Sequence, residues 1–412
     1  MIRWITDSLG TAAYDDAIHD EKNFQIVDVR DLVDKRGNNT DVIRKKIDET
    51  LDILKQGKKV VICCDYGISR SNAIAAGVLS QLEGIPFSDA VQRIISSTGE
   101  KKIKVQMLSV VRKAIAGNIC KNENVDAQKT VLITGGSGFL GSRLSEQLTT
   151  CRIVKPSHNQ IDLIKGAVDL DFLIKKENVD CIIHLANPRI YNDNEAMGTS
   201  LVMLKNVIDI CCDNDIKLVY PSGWEIYSGY RSNFLFASEH LPPQPKGVYG
   251  ETKTLCEKIL EYSKINENLE YLILRFSPIY GGGDKPKFIY NFIDKAIKNE
   301  VITTHKYLNG YPTLDLLYVE DAISAFTLAI EKDITGSINI GSGVGHSTHD
   351  VAEMIVSQLK SGSKIQHKQI NDYAPNIVMD ISKAKTALKW EPHTSLTAGI
   401  GSILQNIKRD EN

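Results

Sequence analysis

The sequence predicts an α/β protein: a small three-layer domain, then a doubly wound parallel sheet of Rossmann type with a smaller C-terminal substrate lobe. Three observations carry this. Short apolar runs rich in β-branched residues alternate with amphipathic stretches that end at glycine. Glycine-containing loops stand where two of those runs give way to helices. A polar segment without apolar periodicity, "GNICKNENVDAQK", separates two such alternating sets.

Before that segment, "FQIVDV" and "KKVVICC" read as buried strands. "TDVIRKKIDETLDILKQG", "SRSNAIAAGVLSQLEG" and "FSDAVQRIISSTG" read as amphipathic helices stopped by glycine. After it, "TVLITG", "CRIV", "DCIIHLA", "KLVYPS" and "LEYLILRFS" are strands, and the stretches between them are helices, which implies parallel strands with covering helices. The expected domains are residues 1–120 and 129–412, with 121–128 as linker. From "GGGDKP" onward the alternation is less regular, as suits a lobe that closes over a ligand.

The chain has 412 residues, 42% hydrophobic and 24% charged, enough for two or three packed cores. With 49 basic and 51 acidic residues, its charge favours neither nucleic acid nor an anionic membrane as partner. No basic, apolar and small-residue leader pattern opens "MIRWITDSLG", and no apolar run approaches a membrane span, so a cytoplasmic protein is expected. The eight cysteines show neither scaffold density nor zinc spacing, and no metal is expected.

"VVICCDYGISRSNAI" contains C-x-x-x-x-x-R between a strand's end and a helix's start. Backbone amides of residues 65–70 (Asp65, Tyr66, Gly67, Ile68, Ser69, Arg70) would converge on one point at the positive end of a helix dipole, a place for a phosphate dianion. The Cys64 thiol in that loop would be held as thiolate by the amides and by Arg70, ready to attack phosphorus. Arg70 offers a planar fork for two phosphoryl oxygens. Gly67 permits the tight loop, and the Ser71 hydroxyl is placed to stabilise the departing thiolate.

"TVLITGGSGFLGSRL" places Gly135, Gly138 and Gly141 after a strand and at the opening of a helix, with Phe139 and Leu140 between the last two. They would allow a tight turn, a close approach to pyrophosphate and helix-on-strand packing, which makes a dinucleotide the expected cofactor. Tyr249 and Lys253 form Y-x-x-x-K, an i,i+4 pair on one helix face. A phenol, with a pKa of about 10, needs the lysine ammonium beside it to act as base.

Residues 1 to about 118 resemble the dual-specificity branch of the cysteine-dependent protein phosphatases, whose C-x-x-G-x-S-R-S signature is matched by "CDYGISRS". The resemblance implies a phospho-cysteine intermediate and a general acid from an upstream loop, Asp31 or Asp34, with Asp34 preferred. Histidine normally precedes the nucleophile; here Cys63 does.

Residues 129 to 408 resemble the extended short-chain dehydrogenase/reductases, specifically the nucleotide-sugar epimerase/dehydratase group. The resemblance rests on the G-x-x-G-x-x-G spacing with "HLAN", "YGETK", "LRFSPIYGGG", "LDLLYVEDAISA" and "NIGSG". It implies that Asp162, Leu163 and Ala186 line the cofactor and that Tyr249 and Lys253 are catalytic. The family's Ser or Thr, four positions before the tyrosine of its S-S-x-x-V-Y-G segment, is Gly223 in "PSGWEIYSG" here, with Ser222 one residue earlier as the candidate hydroxyl, and Glu225 falls where the dehydratases carry an acid. Lys155, Ser157 and His158, where NAD-specific members carry an acidic residue, incline the cofactor from NAD toward NADP.

The expected whole is a bifunctional enzyme and a homodimer through the helices containing "VMLKNVIDIC" and "ETKTLCEKIL". It would join a phosphatase for a sugar phosphate or similar small ester to an NAD(P)-dependent epimerase or reductase of a nucleotide-linked or phosphorylated sugar. The alternatives for the first domain are a phosphoprotein phosphatase and a silent phosphate-binding regulator.

Overall fold

A computed structural model describes the chain except for residues 1, 21, 34–37, 101–102, 117–127, 166–167, 189–190, 284–287 and 411–412. Asp34 and nearly all of the expected linker therefore lie outside the described residues. The chain divides into two compact units, the first mainly residues 1–127 and the second mainly residues 128–412.

In the first unit, strands β1 (Arg3–Trp4), β2 (Leu9–Ala13), β3 (Gln25–Asp28) and β4 (Val60–Cys64) form one sheet in the order β1-β2-β4-β3. β2 and β3 both run parallel to the central β4, and β1 is antiparallel to β2. Helices α1 (Tyr14–Ala17), α2 (Thr40–Lys55), α3 (Arg70–Glu83), α4 (Phe87–Thr98) and α5 (Val105–Ala116) complete it. β4 is apolar throughout because both its faces are buried. Val60, Ile62 and Cys64 enter a core with Ile43, Ile74 and Val111, whereas Val61 and Cys63 enter a small cluster with Ala12, Ala17 and Phe24. The two-residue period of a strand thus sends the adjacent cysteines into opposite cores.

The second unit begins β5 (Thr130–Thr134), α6 (Phe139–Gln147), β6 (Arg152–Val154), α7 (Val168–Glu177), β7 (Cys181–His184), α8 (Asn194–Asn214) and β8 (Lys217–Gly223). It continues through β9 (Leu235–Ala237), α9 (Val248–Glu267) and β10 (Tyr271–Phe276), with a further sheet strand at Gly336–Ile340. That strand, β10, β8, β7, β5 and β6 form a six-stranded sheet in this order, parallel throughout. Odd and even residues divide between two cores: Val131 and Ile133 join Leu272 and Leu274 on one face, and Leu132 joins Tyr271 and Ile273 on the other. From β5 the chain steps outward to β6 and then back across to β7, so the strand order reverses at β5. Ligands of such sheets lie beyond the strand ends at the reversal. A separate core under helices Phe288–Ile297, Thr348–Leu359 and Leu396–Asp410 packs the C-terminal part. Among the described residues, no helix is long and apolar enough to cross a membrane.

Candidate functional site

β4 delivers Cys64 to its end, and α3 begins six residues later at Arg70. Between them the chain bends through Gly67, whose φ of +66° is open to glycine at little cost. The bend packs so closely that a β-carbon on Gly67 would lie 2.5 Å from backbone atoms of Ala12 and Ala13. Asn72 fixes it from beneath, donating to the Ile68 carbonyl at 2.8 Å and accepting from the buried Thr11 hydroxyl at 2.7 Å. Ser69 Oγ accepts the Lys104 N–H at 3.0 Å.

The Cys64 sulfur accepts the Gly67 N–H at 3.2 Å and lies 3.3 Å from the Ser71 hydroxyl. Burial pushes this thiol up, but the Ser71 hydroxyl and the amides of Ser71, Tyr66 and Gly67 outweigh it and bring it below the ordinary thiol range. Cys63, one residue earlier, is pushed up to about 12 by burial, and the negative charge of Asp28 adds to the effect. Only one of the two adjacent thiols is disposed to ionise.

Arg70 is placed differently from expectation. One Nη donates to the carbonyls of Leu32 at 2.8 Å and Arg30 at 3.2 Å; the other is ion-paired with Asp65 of the same loop. Asp65 thus turns its carboxylate toward Arg70 within the loop. The Arg30 and Leu32 carbonyls flank Asp31, which places that residue's chain beside Arg70, and the Asp31 carboxylate lies 3.7 Å from Lys46. Tyr66 stands exposed on the rim.

The glycine loop at the end of β5 follows the same plan. Gly135 has a φ of +69°, and a β-carbon there would lie 2.8 Å from the Ala186 nitrogen after β7. A β-carbon on Gly141 would overlap the Gly135 carbonyl, so α6 packs directly onto the loop. At Gly138, the residue before α6, only the Gly135 carbonyl stands within 4 Å, at 3.3 Å. A cradle kept free of side chains at a helix N-terminus suits a dinucleotide pyrophosphate. Lys155, just beyond β6, lies against Gly136, where an added β-carbon would come within 2.8 Å of it. Arg143 covers the Phe139 ring at 4.4 Å, and Leu140 packs on the sheet core. Asp162 accepts the Ile164 N–H at 3.0 Å, while Leu163 is buried.

Tyr249 and Lys253 lie one turn apart near the start of α9, with the ammonium 5.6 Å from the phenol ring. Lys253 donates to the Pro221 carbonyl at 2.9 Å and the Tyr220 hydroxyl at 3.2 Å. Burial lowers its pKa; burial, then the charge of Glu225, raises that of Tyr249. The phenol therefore rests protonated and needs further positive charge to become a base.

A family model, the NAD dependent epimerase/dehydratase family, matches residues 131–341. The chain belongs to that family. The matched span runs from the glycine loop through the Tyr-Lys pair to the sixth strand of the sheet. UDP-glucuronic acid decarboxylase 1 of Danio rerio is 26% identical over 350 residues, covering 77% of this chain and 82% of that one. The dTDP-4-dehydro-6-deoxyglucose reductase of Escherichia coli is 25% identical, covering 69% and 99%. The solved UDP-glucose 4-epimerase of Thermus thermophilus superposes with a TM-score of 0.60 at 21% identity, over 68% of this chain and 99% of that one, a likeness of fold.

In this epimerase/dehydratase domain Ser222, the candidate hydroxyl, lies on the same face of β8 as Tyr220, which bonds Lys253. β8 stays regular to its end, Gly223 pairing with Phe276, and the Ser222 oxygen is enclosed without a hydrogen-bond partner among the described residues. The space beside Gly223 is filled from elsewhere, because a β-carbon there would overlap a carboxylate oxygen of Glu225. A carboxylate occupies the place that a side chain at position 223 would take. Sequence reasoning also missed a polar chain behind the lysine. The Thr134 hydroxyl, just before the glycine loop, lies 2.8 Å from His184 Nδ1, and the His184 ring stacks on Tyr220 at 6.2 Å. The available signal was Tyr220 itself, two residues before Ser222 and so on the same strand face.

Proposed function

We propose that the chain is a two-activity enzyme, a cysteine-dependent phosphatase of a small phosphate ester joined to an NAD(P)-dependent epimerase or reductase of a nucleotide-linked sugar. Family membership supports the second activity, and relatives named for UDP- and dTDP-sugars support the substrate class. The observation that carries the first is Cys64, buried yet bonded by loop amides and Ser71 in the way a thiolate requires.

In the first unit Cys64 attacks phosphorus, Arg70 grips the phosphoryl oxygens, and an aspartate protonates the leaving alcohol. Of the two candidates, Asp31 has its chain against Arg70. Water, giving its proton to that now ionised aspartate, then cleaves the phospho-cysteine, and the Ser71 hydroxyl donates to the departing thiolate. In the second unit Gly135, Gly138 and Gly141 hold the dinucleotide, and Lys155 offers charge to a 2′-phosphate, which supports the inclination to NADP. The bound nicotinamide supplies the hydride acceptor. Tyr249 takes the sugar hydroxyl proton, and Lys253 steadies the phenolate and the ribose. Exposed Val202, Leu255 and Tyr262 on α8 and α9 support a homodimer through those helices. Glu225 beside Tyr249 favours a second reading of this domain: dehydration, or another step that moves a carbon-bound proton.

An activity panel tests the proposal. Sugar monophosphates are expected to be hydrolysed by the native chain and not by Cys64→Ser. Nucleotide sugars are expected to reduce the cofactor with the native chain, and not with Tyr249→Phe, which still binds the cofactor. Unchanged turnover in either variant rejects the corresponding activity.

A further inference from the structure

Four described cations near the Cys64 loop are each paired with a carboxylate of the chain itself. Arg70, which enters the loop from α3, is ion-paired with Asp65. Arg30, on the segment whose carbonyl Arg70 holds, is gripped by both oxygens of Asp28 at 2.7 and 3.0 Å and lies over the Tyr14 ring at 3.4 Å. Arg3, which donates to the Gly67 carbonyl at 3.2 Å, pairs with Glu100 at 3.1 Å. Lys46, which donates to the Asp28 carbonyl at 2.6 Å, pairs with Asp31. A loop for a polyanionic ester would leave such cations unpaired. Of these four cations Arg70 is the one set in the loop itself, and a carboxylate stands on it.

We propose that Asp65 is the specificity gate of this loop: its carboxylate occupies Arg70 in place of substrate, and admission is limited to esters carrying one phosphoryl group and no further negative charge. This rests on reading the loop as a phosphate site. Arg70 is 8% exposed, whereas the Asp65 side chain is 48% exposed. The guanidinium therefore stays in place, and the carboxylate is the partner free to swing into water. Once displaced, Asp65 remains next to the nucleophile, where a second anionic group on the ligand meets its like charge. A monophosphate of a neutral sugar fits this balance; a nucleoside diphosphate or a polyphosphorylated ring does not.

The test compares alkylation of Cys64 in the full chain by iodoacetate, which carries a carboxylate, and by iodoacetamide, which does not. Native chain, Asp65→Asn and Asp65→Glu are each followed by mass spectrometry with and without orthovanadate. Asp65→Asn is expected to raise the iodoacetate-to-iodoacetamide rate ratio about ten-fold, and to lower about ten-fold the vanadate concentration that protects Cys64. That is the scale of one charge-assisted hydrogen bond. Asp65→Glu, which keeps the charge, is expected to stay near the native ratio and shows whether substitution alone disturbs the loop. Equal ratios in native chain and Asp65→Asn, with Cys64 alkylated in both, overturn the gate and leave the phosphate loop standing. No alkylation of Cys64 at neutral pH in any variant, with no vanadate protection, overturns the loop reading and the gate with it.

Discussion

Gly67 and Gly84 have the same φ, +66°, yet they differ in what surrounds them. Gly84 ends α3 with nothing within 4 Å of where a β-carbon would go; at Gly67 the same carbon meets Ala12 and Ala13 backbone at 2.5 Å. Gly84→Ala should therefore cost only the left-handed strain, about 1–2 kcal/mol. Gly67→Ala adds an overlap that no side chain can relieve, because the obstructing atoms belong to β2 and its end, and overpacking of this kind costs about 1–3 kcal/mol more. The expected totals are about 1–2 and about 2–5 kcal/mol, read as urea unfolding of the first unit. The Gly67 N–H that serves the Cys64 sulfur shifts with the loop, so iodoacetamide labelling of Cys64 at neutral pH should slow in Gly67→Ala and not in Gly84→Ala. Equal destabilisation of the two variants, with equal labelling, would refute the claim that close packing on β2 shapes the anion loop.

Two further predictions follow from the titrating groups. Cys63→Ser should leave the rate of iodoacetamide labelling at neutral pH within about two-fold of native, the reactive thiolate being Cys64; a large loss would show that Cys63 shares in the reactivity. Burial holds His184 down to about 3 from an ordinary value of 6.5. The unfolded chain therefore binds a proton that the folded chain refuses between those values, and this contribution to stability is lost as pH falls from 6.5 toward 3, by about 1.4 kcal/mol per unit. His184→Asn should flatten that limb for the second unit in urea titrations at pH 6.5 and 5, and parallel limbs in the two proteins count against a neutral, buried imidazole.

Strand and loop positions were legible because each depends on a local pattern. β4 announces itself as an apolar run, and the two glycine-containing loops stand at strand ends where only a few residue types permit the turn. What escaped the sequence was side-chain pairing across the fold. The ion pair of Asp65 with Arg70 lies within six residues, but loop conformation, not spacing, decides whether the carboxylate turns toward the guanidinium or away from it. Glu225 filling the space at Gly223 depends on how the chain turns after β8. The Thr134, His184 and Tyr220 alignment joins the ends of β5 and β7 to the middle of β8, each paired correctly only once the sheet has formed.

The two sites use one mechanical device and diverge in what is placed upon it. In each, a parallel strand ends, a glycine with φ near +67° turns the chain against the backbone of a neighbouring strand or its end, and a helix starts with its amides facing the gap: Gly67 on Ala12 and Ala13 in one case, Gly135 on Ala186 in the other. Such a gap attracts anions whatever its later chemistry. In the second unit Gly138 leaves the gap open while Lys155 lies against Gly136, and Lys253 reaches the Pro221 carbonyl of β8 from α9. In the first, the strand's last residue is Cys64, so the amides facing the gap also favour its thiolate. The same kind of bend thus faces open space in one unit and a thiol in the other, and under the proposed phosphatase reading the first unit needs a local means of refusing unwanted anions. Asp65, paired with Arg70 in the bend itself, is the residue proposed for that role.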